Sequence, residues 1–169
     1  HPAVAAVSLT GSEEVGRKVA ALAGAALKPL VLELGGSDPL IVFEDADVQH
    51  AAQVACVSRF QNAGQSCIAA KRFLLHHRVQ AAFIAALKQA MEKLQPGNPM
   101  DPGTGLAPLA KKEYLLELDR QVGATLKEGG RLITGGEAVS DMKATYLPTL
   151  MEGVTPEMTA GKEELFGPV

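Results

Sequence analysis

The sequence predicts an α/β fold with a mostly parallel sheet. Two observations carry that expectation: short apolar runs alternate with amphipathic helical stretches along the whole chain, and Gly-, Pro- or Asp-containing turns separate one from the next. In open sheets of this kind ligands gather at the carboxyl ends of the strands, so the segments just after each strand are where chemistry is sought.

Ala5–Leu9 is the first apolar run and reads as a strand, followed by the turn Thr10-Gly11-Ser12. Glu13 to Ala26 has helical spacing, with Val15, Val19, Leu22 and Ala26 on one side. Leu30–Leu34 reads as a buried strand closed by Gly35-Gly36, and Leu40–Phe43 as another. Asp45 and Asp47 offer an N-cap for a helix running to Phe60. A loop, "QNAGQSC", leads into a strand at Arg72–Leu75, and Val79–Leu94 is a strongly amphipathic helix. The proline- and glycine-rich stretch 95–108 is a loop. Lys111–Glu128 is helical and stops at Gly129-Gly130; strands are expected at Leu132-Ile133 and over Thr145–Met151.

Composition narrows the function. The 169 residues suffice for one domain or a little more, and 47% hydrophobic with 21% charged residues is ordinary for a globular chain. Trp is absent, so aliphatic side chains must fill the core. A net charge of −3 argues against a general nucleic-acid binder. Two cysteines cannot build a disulfide framework, and this low count fits a reducing cytoplasm. No apolar run reaches the about 18–20 residues that span a bilayer, so no membrane association is expected. The chain begins at His1-Pro2 and stops at Phe166-Gly167-Pro168-Val169 as a strand is about to begin, so an internal piece of a longer protein is expected.

Cys67 raises the chemical question, because cysteine usually packs as a small hydrophobe and here follows amides, a glycine and a serine. Either it is an inert thiol near a turn, or the loop presents a nucleophile whose backbone N–H serves as an oxyanion donor. Cys56 lies in an alanine-rich helical stretch and reads as core. Glu33 sits inside an apolar run, where burial would raise its pKa toward the range of a general base; the competing reading is an outward-facing residue of a half-exposed strand. The strand–turn–helix junction "TGSEEVG" can place a phosphate at a helix N-terminus, but Arg17-Lys18 excludes a P-loop and the Rossmann glycine spacing is missing. The run Lys162–Pro168 taken alone reads as a solvated surface loop. His76-His77 lacks a third ligand at metal spacing, so no metal is expected.

Four of these stretches, "TGSEEVG", "LELGGSDP", "QNAGQSC" and "EELFGP", occur together in an order and register that resembles the NAD(P)-dependent aldehyde dehydrogenase superfamily, and the resemblance covers essentially the whole chain. It implies a three-layer catalytic domain with a mostly parallel sheet over 37–169, incomplete here, preceded over 1–36 by the C-terminal end of a Rossmann-like NAD(P)-binding domain. By the same resemblance Cys67 is the nucleophile that attacks the aldehyde, Glu33 the base that activates water against the thioester, and Glu164 the residue that holds the nicotinamide ribose, with Phe166 beside it. Gly11, Ser12 and Gly16 match the turn that approaches the dinucleotide, NAD or NADP, and Leu34 and Gly35 flank the base. The oxyanion-binding asparagine of the family would lie upstream of His1 and its oligomer-forming segment beyond Val169, so the isolated piece is expected to be silent and the parent to be a homodimer or homotetramer. The phrasing looks closest to bacterial succinate-semialdehyde dehydrogenases, although Gln61 stands where one branch carries an arginine for the substrate carboxylate, with Arg59 two residues earlier. A CoA-acylating relative, in which CoA takes the acyl group, is disfavoured by Glu33. A cysteine hydrolase would want a histidine base, which no His context offers. A non-catalytic family member acting as an interaction protein is disfavoured by the joint presence of Cys67, Glu33 and Glu164.

Overall fold

A computed structural model describes residues 1–139, 142 and 144–169. The chain divides into two compact units, His1–Gly36 and Ser37–Val169.

The first unit is a single strand–helix–strand crossover. Strand β1 (Val7–Thr10) runs parallel to β2 (Leu30–Glu33), with Val7 opposite Leu30 and Thr10 opposite Glu33. Helix α1 (Glu13–Ala25) joins them, as a parallel pair requires. Ser12 is its N-cap, its hydroxyl accepting the Val15 N–H at 3.4 Å, and Glu13 and Glu14 occupy the positive first turn. Gly16 is there because the helix comes very close to Leu34: a Cβ at that position would lie 2.7 Å from the leucine Cδ2. The helix ends in a Schellman arrangement, in which Lys28 N–H donates to Ala23 O and Leu27 N–H to Gly24 O. Leu27 takes the left-handed position, φ 53, that glycine usually fills, and its side chain is 92% exposed.

The second unit opens with β3 (Asp38–Val42), which crosses over through α2 (Val48–Phe60) to the parallel strand β4 (Ala70–Leu75). Asp47 caps α2, its carboxylate accepting the His50 N–H at 3.1 Å. Helix α3 (Gln80–Met91) packs beside α2. Their shared core contains Val42, Ala52, Cys56, Phe60, Phe83 and Leu87, and Phe73 meets Phe83 edge to face. Helix α4 (Lys112–Lys127) buries Leu118 and Val122 in a second cluster with Ala63, Leu106, Tyr146 and Leu165. Strand β5 (Arg131–Thr134) pairs antiparallel with β6 (Leu150–Glu152), and the short helix α5 (Thr159–Lys162) comes after them in the chain.

The α/β class is as expected, and two of the three described ladders are parallel. The strand expected over Thr145–Met151 is corrected: Tyr146 makes an isolated antiparallel bridge with Ala138, and regular pairing begins only at Leu150. Pro148 has no N–H to donate, and Thr149 uses its groups elsewhere, its N–H donating to Pro168 O and its hydroxyl to Leu147 O. Among the described residues no helix is long and apolar enough to cross a membrane.

The left-handed leucine after α1 yields a direct test. Replacing Leu27 with glycine removes a Cβ clash of about 1 kcal/mol at that cap, so the Leu27→Gly chain is expected to unfold at higher urea concentration, read by circular dichroism; an unchanged or lower midpoint contradicts the strain.

Candidate functional site

The stretch after α2 is held in an unusual backbone conformation. Asn62, Ala63 and Gly64 are consecutive left-handed residues, with φ 52, 54 and 73. Asparagine and glycine tolerate this region; an alanine there is strained by about 1–3 kcal/mol and persists only where its surroundings enforce it. The two amide side chains brace the turn. Asn62 Nδ2 donates to Gln65 O at 3.0 Å, Gln65 Nε2 donates back to Asn62 O at 3.0 Å, and Gln65 Oε1 accepts the Ala110 N–H at 2.9 Å.

The main clamp is Arg59, 1% exposed on the last turn of α2. Its Nη2 donates to Gly64 O at 2.7 Å, to Leu165 O at 3.2 Å and, at close range, to Gly167 O. Burial pushes its pKa down to about 10, and the neighbouring Glu164 carboxylate opposes that shift; it remains a cation at neutral pH. Arg59 is thus a structural strut and not an exposed cation offered to a substrate. Gly64 also lies against Gly167, whose carbonyl would sit 2.1 Å from a Cβ added at residue 64.

At the end of this turn Cys67 is free and exposed, whereas Cys56 is free and buried in the core, where desolvation raises its pKa. The Cys67 N–H has no acceptor among the described residues, while its carbonyl accepts from Lys71 Nζ at 3.0 Å. Lys71 also donates to Ser66 O at 2.8 Å and faces Glu164 Oε1 at 3.2 Å. Its side chain is 2% exposed and that of Glu164 25%. Gln121, buried on α4, donates to Glu163 Oε2 at 3.0 Å and to Glu164 O at 3.2 Å. Phe166 is half-buried, its ring edge to face with Tyr114.

Within the second unit, then, Cys67 and Glu164 are brought together through Lys71. The reading of Lys162–Pro168 as a solvated loop is corrected: Leu165, Gly167 and Pro168 are buried, the Leu165 and Gly167 carbonyls accepting from Arg59, the Pro168 carbonyl from Thr149 N–H, and Gly167 lying against Leu118 of α4.

Within the first unit Gly11, Ser12, Gly16, Glu33, Leu34 and Gly35 gather at the carboxyl edge of β1 and β2. Gly11 N–H donates to Glu33 O at 3.0 Å. Of the two readings of Glu33 the structure has the outward-facing one and not burial: β2 alternates, with Leu30 and Leu32 turned inward and Val31 and Glu33 outward. Sequence reasoning missed Lys71 and Gln121 altogether and gave Arg59 no structural part. The one available signal was a cation placed within otherwise apolar stretches, at Lys71 after "IAA" and at Arg59 in "VACVSRF".

The aldehyde dehydrogenase family model matches residues 1–169. The chain belongs to the aldehyde dehydrogenase family. It is 48% identical over 166 residues to the succinate semialdehyde dehydrogenase (NAD(P)+) Sad of Escherichia coli strain K12, covering 98% of this chain and 36% of that protein. It is 45% identical over 168 residues to the succinate-semialdehyde dehydrogenase (NADP(+)) of Mycolicibacterium paratuberculosis, covering 99% and 36%. Among solved structures, the succinate-semialdehyde dehydrogenase from Burkholderia pseudomallei is 39% identical with a TM-score of 0.95, matching 99% of this chain and 35% of its own. The chain therefore spans about a third of the length of these family members, 36% of the curated ones.

Of the two thiols of this family member Cys67 is exposed, whereas Cys56 is buried and desolvation raises its pKa, so iodoacetamide at neutral pH is expected to label Cys67 faster than Cys56 by about tenfold or more. Peptide mass spectrometry reads the ratio, and equal labelling would contradict the exposed thiol.

Proposed function

We propose that this chain is part of an enzyme that oxidises an aldehyde, succinate semialdehyde, to its carboxylate with NAD or NADP. The observation that carries the reading is an exposed, free Cys67 at the end of a strained turn braced by two buried cations. The named activities of the relatives support the substrate and the cofactor. On this reading residues 1–36 close the dinucleotide-binding domain and 37–169 belong to the catalytic domain. The reducing cytoplasm suits it, since an exposed thiol persists there.

Cys67 Sγ, as thiolate, attacks the carbonyl carbon and forms a carbon–sulfur bond, and the carbonyl oxygen becomes an oxyanion. The Cys67 N–H, which has no described acceptor, is a donor for that oxyanion. With a dinucleotide there to take the hydride, loss of that hydride from this adduct would leave a thioester on Cys67. Glu33 takes a proton from water, the hydroxide adds to the thioester carbon, and the carbon–sulfur bond breaks to release the carboxylate and the thiolate.

The residues fit a dinucleotide. The first-turn N–H groups of α1, after the Thr10-Gly11-Ser12 turn, are donors at a positive helix end suited to phosphate. Glu164 is an acceptor for ribose hydroxyls, and its side chain stays 25% exposed. Phe166 lies two residues on, and Leu34 and Gly35 come directly after Glu33. When bound, the dinucleotide accepts the hydride.

The full-length parent is expected to form NAD(P)H from succinate semialdehyde and to prefer it over a panel of small aldehydes. Cys67→Ser is expected to lower turnover at least ~10³-fold. Glu33→Gln is expected to keep a first burst of NAD(P)H while steady-state turnover falls ~10²–10⁴-fold. No turnover with any aldehyde sinks the proposal. Loss of the burst in Glu33→Gln removes Glu33 from thioester hydrolysis, and acceleration by coenzyme A reassigns the acyl acceptor.

A further inference from the structure

The Lys71 ammonium lies in an unusual place for a lysine. Its side chain is 2% exposed, and a lysine is almost never that deeply buried without partners. The strand explains how it gets there. In the β3–β4 ladder Asp38 pairs with Ala70 and Pro39 with Arg72, so Lys71 is the extra residue of a bulge. Pro39 has no N–H to keep the ladder regular, and bulges re-aim a side chain. Ala70 is buried and Lys71 half-buried in succession, and only then does the strand alternate outward at Arg72 and inward at Phe73.

The side chain so aimed meets four partners from two segments, the most distant of them Ala69 O at 3.5 Å. Its Nζ donates to Ser66 O at 2.8 Å and to Cys67 O at 3.0 Å, and faces Glu164 Oε1 at 3.2 Å. One ammonium has three donors; here the carbonyls of Ser66, Cys67 and Ala69 accept from it, and the carboxylate proposed to hold the ribose faces it as an ion pair, its Oε1 otherwise without a hydrogen-bond partner among the described residues. Breaking one arm leaves a buried charge partly uncompensated, so the arms are energetically linked.

We infer that Lys71 is a positioning residue that couples dinucleotide binding at Glu164 to the presentation of the Cys67 thiol. This rests on the dehydrogenase reading for the tasks of Cys67 and Glu164. A dinucleotide that draws on the Glu164 carboxylate changes what Lys71 can give to the Ser66 and Cys67 carbonyls, and the thiol turn registers the change.

The test uses the full-length parent and reads two quantities: the dissociation constant for NAD+ or NADP+, and the Cys67 alkylation rate with and without that dinucleotide. In the wild type the bound dinucleotide is expected to change the alkylation rate. Lys71→Met, which keeps the stem and removes the charge, is expected to abolish that response and to weaken dinucleotide binding about tenfold, the scale of one charge-assisted hydrogen bond. Its effect on affinity is expected to vanish in a Glu164→Gln background, where the pair is already broken. Glu164→Gln, which leaves the lysine with its carbonyls, is expected to abolish the response as well and decides the matter if Lys71→Met does not fold. A response that survives either variant overturns the inference, as does a Lys71→Met protein that only melts earlier. A wild type that binds neither dinucleotide overturns the dehydrogenase reading and this inference together, and does so before any variant is made.

Discussion

Arg59 joins parts of the chain that are far apart in sequence. From the end of α2 one nitrogen donates to the carbonyls of Gly64, Leu165 and Gly167, the last two 106 and 108 residues away. The left-handed run Asn62–Gly64 depends on this clamp. Hydrogen bonds inside the turn join Asn62 only to Gln65, and they leave Ala63 to be held by its surroundings. Those surroundings are the buried cluster of Leu118, Val122 and Leu165, together with the guanidinium.

A guanidinium suits this position better than an ammonium. Its planar fork is set before any bond forms, and it stays charged even with its pKa pushed down to about 10. The cost is real, since Nε and Nη1 have no described hydrogen-bond partner. The nearby Glu164 carboxylate offsets part of the desolvation. Lys71 faces the same carboxylate, so one anion serves two buried cations. The two glycines complete the arrangement: a Cβ at Gly64 would strike Gly167 O, and a Cβ at Gly167 would lie 2.1 Å from the Leu118 Cδ1. The "QNAG" and "FGP" stretches are therefore one structural feature written in two places.

Much of this was legible in local sequence because local forces set it. Ser12 and Asp47 cap their helices where a short polar acceptor precedes an apolar repeat. The contrast of Cys56 with Cys67 came from the alanine-rich helix around one and the polar loop around the other. The illegible parts depend on partners distant in the chain. Nothing near Lys71 announces that Pro39 will break the ladder opposite it. Nothing in Lys162–Pro168 announces that Arg59 will bury its carbonyls. The Thr145–Met151 run looked like a strand because its residues favour one, yet Thr149 gives its N–H to Pro168 instead of a neighbouring strand. For Glu33 the apolar run around it left burial and an outward face both open, and two-residue alternation turns it outward.

Backbone strain by itself does not mark the site. Leu27 and Ala63 have nearly the same φ, 53 and 54. Leu27 ends a helix, is 92% exposed, and is held only by the Schellman hydrogen bonds of its own cap. Ala63 is 4% exposed, lies between two further left-handed residues, and is fixed by a buried cation reaching across the chain. The first is a residue that glycine would replace without loss. The second is a conformation that many distant contacts combine to enforce, and the turn it belongs to ends at the surface in a free thiol. Strain imposed from a distance, at the foot of an exposed nucleophile, is pre-organisation, because the cost is met in folding and not again when a substrate arrives.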